Sequence, residues 1–295
     1  MPVHPSSIPA RVVSILTGVL AAVALPCMGQ QTQPQNPTPS PTATLVREVV
    51  FNELHDHERH GWWRYWVEKH SAKETLLEEQ VETSDGPVTR TLMLNGHPLD
   101  LQGQEQEQQK LRDLMSSPGK LADHRQAYLD DEKRIGRIVA LLPDAFIYED
   151  AGEDKGLRHL RFQPNPNYPP HSIEARIFHA MSGDLWIDTR MKRMARLSGL
   201  LLENVDFGYG ILGRLYKGGS FELKRVQVNS TDWKTEQLEI HMNGRAMLFK
   251  TIARETSETR GGFVAVPPAM NLSQGMHVLE EPGTVRIAQA GLVKR

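Results

Sequence analysis

Between Thr44 and His60, apolar residues recur every three or four positions: Val46, Val49, Val50 and Leu54 form one stripe, and Gly61 follows as a stop. That spacing predicts an amphipathic helix capped by Thr44. From Trp62 the period shortens to two. The segments WWRYWVEK, LLEEQVET and VTRTLML, punctuated by Asp85-Gly86-Pro87 and Asn95-Gly96, predict three short antiparallel strands. Residues 99–142 break this rhythm. A polar run from Gln102 to Lys110 leads into Leu111, Leu114 and Met115. Ser117-Pro118 then makes an N-cap and N1 pair for a longer helix, which Pro143 is expected to stop. A helical excursion between strands has to cover something, and a sheet face is the natural partner.

Strand patterns resume at Phe146 and continue through FIYED, LRHLRFQP, ARIFHAM, DLWID, MARLSGLLL, SFELKRVQV, QLEIHM and AMLFKTIA. Met242-Asn243-Gly244-Arg245 reads as a two-residue type I′ hairpin, because both central positions tolerate positive φ. Such a turn would pair Ile240 with Met247 and Leu238 with Phe249 on one apolar face, with Glu239 and His241 on the other. Beyond about Arg260 the pattern fades into Gly/Pro punctuation. The expectation for residues 259–295 is a loosely attached tail, with an edge strand through Val264 and Val266 as the alternative.

The amino terminus reads differently. Val12 to Leu25 is an apolar run behind Arg11, too short to span a bilayer with comfort and suited to the core of a secretory signal over residues 1–29. Residues 30–43 are rich in Pro and Gln and form a spacer. The expected location is therefore the periplasm or the exterior. Lipid attachment at Cys27 is a less favoured route, since Pro26 precedes it. With one Cys in 295 residues, an intramolecular disulfide framework is excluded. A formal net charge of −2 argues against nucleic acid as a partner.

Motifs that could carry chemistry lack the right context. Gly208-Tyr-Gly210-Ile-Leu-Gly213 matches a dinucleotide fingerprint, but Gly218-Gly219 follows within about a turn and no βαβ alternation surrounds it. In HDHERH, His55 and His57 would point to different sides of a helix, and the zinc-binding HExxH spacing is missing. There is no GxSxG, and Asp184, Asp188, Glu203 and Asp206 read as strand-edge and turn residues. The expectation is a protein without catalytic residues, metal or cofactor. What remains is apolar. Trp63, Tyr65, Leu92, Leu94, Phe178, Leu185, Ile187, Leu238, Ile240, Met247 and Phe249 are the candidates for lining a ligand cavity between a curved sheet and its helices.

The stretches AMSGDLWIDTRMKRMARLSGLLLENVDFGYG, LGRLYKGGSFEL and QLEIHMNGRAMLFKTI, with Gly183-x-Leu185-Trp186-Ile187-Asp188 at a strand pair, resemble outer-membrane lipoprotein-sorting proteins. These are the LolA, LolB and RseB-like half-barrels. The likeness covers roughly residues 45–258, and the half-barrel domain is placed at 44–258. It implies an α+β fold: a strongly curved, unclosed antiparallel sheet with helices over its concave face. It also implies a monomeric carrier of lipid or lipoprotein acyl chains. An envelope scaffold or stress sensor on the same fold is the alternative. In that case the charged helix 119–137 would dock a protein partner.

Overall fold

The computed structural model describes residues 40–58, 61–207, 213–246 and 250–280. The signal and most of the spacer read from the sequence lie outside these residues. Helix α1, Pro41–Leu54, starts earlier than Thr44 because Ser40 caps it, accepting from Ala43 N, with Pro41 at the first helical position. Its stripe of Val46, Val49 and Val50 is buried.

The strands are β1 (Trp62–Ser71), β2 (Thr75–Val81), β3 (Val88–Leu94), β4 (His97–Pro98), β5 (Phe146–Asp154), β6 (Leu157–Pro164), β7 (Met181–Asp188), β8 (Arg193–Leu201), β9 (Val205–Phe207), β10 (Gly213–Leu215), β11 (Ser220–Gln227), β12 (Trp233–Ala246) and β13 (Lys250–Val266). They make one antiparallel sheet in the order β4-β3-β2-β1-β13-β12-β11-β8-β7-β6-β5, with β10 beside β12 and β9 beside β10. Its two ends, β4 and β5, do not pair. The fold is thus α+β with an unclosed antiparallel sheet, as an open half-barrel requires.

Register explains the core. Leu160, Leu185, Leu197, Leu223 and Leu238 face one another across β6, β7, β8, β11 and β12 in a single row. The next row on that face runs Tyr148, Phe162, Gly183, Gly199, Phe221 and Ile240. Two aromatic rings lie over the paired glycines: a Cβ on Gly199 would come within 2.4 Å of the Phe221 ring, and one on Gly183 within 2.7 Å of Phe162. Helix α1 seals the leucine row, together with the end of α3, Pro118–Ala145, and nearby α4, Ile173–Phe178, covers Met181 and Leu201.

The opposite face has its own layer. Val81 pairs with Arg64 and Val88, and these residues point away from the leucine row. Leu111 of α2, Leu101–Ser116, and Leu272 and Leu279 of α5, Leu272–Glu280, pack on Val81 and Val88. The Ser117-Pro118 junction between α2 and α3 is as expected, with the Ser117 hydroxyl accepting from Lys120 N. Helix α3 runs 28 residues, and its seven residues from Leu129 to Ile135 are exposed on every side.

Four expectations need correction. Asn243-Gly244 is no hairpin turn: β12 runs straight through it, pairing Asn243 with Ala253 and Gly244 with Ile252. Leu238 and Ile240 accordingly face Glu258 and Thr256, not Phe249 and Met247, which lie outside the described residues. Gly244 serves close approach instead, since a Cβ there would sit 2.6 Å from the Arg214 carbonyl of β10. Residues 259–266 are not part of a tail but the end of β13, which lies between β1 and β12; here it pairs with β1, Trp63 facing Ala265, as the alternative of a strand through Val264 and Val266 expects. Residues 250–259 pair with β12 and the strand continues along β1 to Val266, so its last residues, Val264 and Val266 among them, are paired on the β1 side alone. Pro143 does not end α3 at once; it sits in the last turn, where the Tyr148 hydroxyl donates to the Leu142 carbonyl. Phe178 ends helix α4 rather than lying on a strand. Asn95-Gly96, by contrast, is the positive-φ turn expected of it, and joins β3 to β4.

Candidate functional site

The predicted cavity residues do not converge on one space. Leu185 and Ile187 are fully buried in the dry core beneath α1, and Phe178 packs against Phe146 at 5.1 Å in the same core. Trp63 and Tyr65 are buried further along that face, clustered with Val67 and Phe263. Leu238 and Ile240 are half-buried between these regions, and Leu94 is exposed at the β3–β4 turn. Among the described candidates, only Leu92 lines the cavity between β3, α2 and α5.

That cavity, about 570 Å³, lies between β3, α2 and α5. Leu92, Pro98, Leu99, Leu111, Met276 and Leu279 make its apolar wall. Its volume falls in the range of roughly 300–1,000 Å³ typical of small-molecule sites. A polar edge accompanies it. Glu107 accepts from Thr91 N at 3.1 Å, which ties α2 to β3, and Arg112 donates to Gln109 Oε1 at 3.0 Å. Arg90 also lines the cavity. Its Nη2 donates to Glu79 Oε2 at 2.8 Å, while Arg64 Nε donates to Glu79 Oε1 at 2.7 Å. Glu79, only 1% exposed, thus carries two guanidinium partners, of which Arg90 reaches the cavity. Arg90 Nε has no partner among the described residues.

A second polar network lies on the α1 face. Glu53 near the end of α1 accepts from Arg193 Nε at 3.1 Å, Met194 N at 2.9 Å and Arg225, and Arg193 also meets Asp56 at 2.6 Å. These bonds pin the end of the helix to β8 and β11. Close by, Lys234 donates to both Glu82 oxygens, at 2.8 and 3.0 Å. Asp232 Oδ2 accepts from Gly61 N and the Trp63 indole at 2.8 and 3.1 Å. Burial alone would raise the Asp232 carboxyl's pKa. The hydrogen bonds from Gly61, Thr231, Trp63 and Asn229 outweigh this and hold it below the usual carboxylate range.

Sequence reasoning passed over Glu53, Glu79, Glu82, Arg193, Arg225 and Arg260. Alternating charge on a strand reads as a wet face, and no local signal shows that distant elements cover it.

The other motifs resolve plainly. Gly213 opens β10 and Phe207 closes β9, which pair antiparallel; the remaining residues of the GxGxxG stretch lie outside the described set. The His55 ring bonds the Phe51 carbonyl at 2.7 Å at the end of α1. His60 and the His57 side chain are not described. Asp184 meets the His159 ring, itself stacked on Trp186, at 2.7 Å. Asp188 accepts from Met191 N in the β7–β8 turn, and Asp206 pairs with Arg214. Among the described residues, no group of three His, Cys, Asp or Glu is arranged to hold a metal ion, and no helix is long and apolar enough to cross a membrane.

Comparison with protein families finds no match, and neither does comparison with curated protein sequences. Among solved structures, the chain is similar to a DUF1329 family protein from Desulfovibrio piger, at 8% identity and a TM-score of 0.25. That likeness covers 82% of this chain and 99% of the other. A similarity of this size carries no functional inference.

Proposed function

We propose that the protein is a non-catalytic, exported carrier that holds an acyl chain of a lipid or lipoprotein in the cavity between β3, α2 and α5. The observation that supports this reading is the cavity itself: about 570 Å³ with an apolar wall from one strand and two helices. Each methylene buried there would contribute about 0.8 kcal/mol. The apolar run over Val12 to Leu25 and the resemblance to lipoprotein-sorting half-barrels favour the cell envelope as its setting.

The test is direct. Protein purified from a membrane-containing host is extracted and its lipid measured, and the delipidated protein is titrated with a fluorescent fatty acid. The expected result is a copurified acyl lipid and saturable probe binding. Met276→Trp, which fills the cavity from α5 without adding charge, should weaken binding by about tenfold or more while preserving the unfolding transition. Protein free of lipid that also ignores the probe would overturn the proposal.

A second reading, a protein-interaction scaffold, has one observation behind it. Among the described residues, all seven of α3 from Leu129 to Ile135 are exposed, and Ile135 is an apolar side chain 54% exposed. Site-specific crosslinking from position 135 in cells should recover one dominant envelope protein if this helix docks a partner, and only abundant bystanders if it does not.

A further inference from the structure

A small cavity of about 160 Å³ lies on the α1 face of the sheet, opposite the acyl cavity, among Asp56, Tyr65, Glu82, Arg225, Trp233, Lys234 and Arg260, with Asp56 paired to Arg193. Its charged groups already have partners. Lys234 is paired with Glu82, Arg225 with Glu53 and the Trp233 carbonyl, and Arg260 Nη2 with Glu258 at 2.9 Å. What this pairing leaves is a set of hydrogen-bond donors. Trp233 is 7% exposed, and its indole N–H has no acceptor among the described residues; the same holds for Arg260 Nε. Tyr65, 4% exposed, accepts from Gln80 Nε2 at 2.8 Å, so its own hydroxyl proton is still to be given. Burial, with Glu82 adding to it, raises the Tyr65 pKa and keeps that proton in place.

Donors left unmatched in a buried space are costly, by more than a typical hydrogen bond is worth. Here three come from three different strands, β1, β12 and β13, and the Tyr65 hydroxyl is one that a Phe of the same ring size would not carry. A group rich in acceptors and bearing no donor complements all three. Of the three, the Arg260 guanidinium alone carries a charge, and a charge-assisted bond from it favours an anionic acceptor over a neutral one.

We propose that this cavity binds a small oxyanion, a phosphate or carboxylate group, held by the Trp233 indole N–H, the Arg260 Nε–H and the Tyr65 hydroxyl. The group is either a free anion or the head of a larger amphiphile. The site lies on the other face of the sheet from the acyl cavity, so either can fail without the other.

Titration calorimetry of the full chain with inorganic phosphate and with acetate, followed by the same titration with short-chain phosphatidic acid below its micelle concentration, tests the assignment. Saturable binding of at least one of these is expected, with a shift of the Trp233 indole N–H resonance. Trp233→Phe and Tyr65→Phe should each weaken binding by about tenfold. Trp233→Phe also removes buried ring volume, so its thermal midpoint is expected to fall, and binding is compared at a temperature where the variant is still folded by circular dichroism. Phosphatidic acid binding more tightly than phosphate, and losing affinity in the same variants, marks a lipid head as the source; equal or weaker binding marks a free anion. No binding of any probe at millimolar concentration, or binding indifferent to both substitutions, would overturn the proposal.

Discussion

On the α1 face, strands β6, β7, β8 and β11 present an unbroken leucine row that α1 closes dry, whereas β1, β12 and β13 of the same face set Tyr65, Trp63 and Phe263 beside Glu82, Lys234, Arg225 and Arg260. The first region is held by apolar burial, at roughly 25 cal/mol per Å² removed from water. The second keeps charges where water is scarce, an arrangement that tends to cost stability unless every group is matched. The contrast teaches that the sheet is not one uniform greasy surface. One half supplies stability, and the other carries polar groups whose arrangement stability alone does not require. The far side of β2 and β3 repeats the second style, with Glu79 buried between Arg64 and Arg90 under α2 and α5.

The largest effect is expected at Glu79. Glu79→Ala leaves Arg64 and Arg90 without their shared carboxylate and should cost about 4 kcal/mol by chemical denaturation. Replacing all three residues with apolar ones of similar volume should cost far less. If the two changes cost the same, the ion triad matters for packing alone and the contrast between the regions weakens. Next is Leu185→Ala in the dry row, expected to cost about 3 kcal/mol and to leave fatty-acid binding by the folded protein unchanged. Loss of binding there would move the acyl site to the α1 face. Smaller again is Gly199→Ala, whose Cβ would meet the Phe221 ring at 2.4 Å and the Met181 methyl at 2.9 Å. It should cost about 2 kcal/mol, measured the same way, because both neighbours must shift within a packed sheet.

The dry half was legible in the sequence. Val46, Val49 and Val50 at helical spacing, and Leu185 and Ile187 at strand spacing, meet in the core because periodicity alone specifies which face is apolar. Ser117-Pro118 and Asn95-Gly96 also act where they were read, since caps and tight turns are local physics. The polar half was not legible. Glu79 looks like a solvent-facing strand residue until Leu272 and Leu279, almost two hundred residues later, bring α5 over it. Asn243-Gly244 misleads for a related reason: the local preference for a turn yields to ladder bonds on both sides and to β10 passing close above Gly244. The 259–266 segment reads as a tail because Gly261 and Gly262 interrupt it, yet that is where Trp66 packs against the β1–β13 irregularity. Of the candidate cavity, only Leu92 was picked out beforehand, because the space forms between elements distant in sequence.

The smallest effect sharpens the comparison at its boundary, where Asp232 joins the β11–β12 turn to Trp63 and Gly61. Its folded-state pKa is held below the ordinary carboxylate value of about 3.9, so the unfolded chain takes up the proton first as pH falls. The stabilisation from this carboxylate is therefore fully present above about pH 4 and lost as pH drops through the depressed folded value. Thermal midpoints of the wild type and Asp232→Asn, measured between pH 2 and 6, should differ most at the upper end of that range and converge toward the lower. A difference curve that stays flat across this window would mean that the four hydrogen bonds do not favour the charged carboxylate. The polar half of the sheet would then be held by packing, as the dry half is.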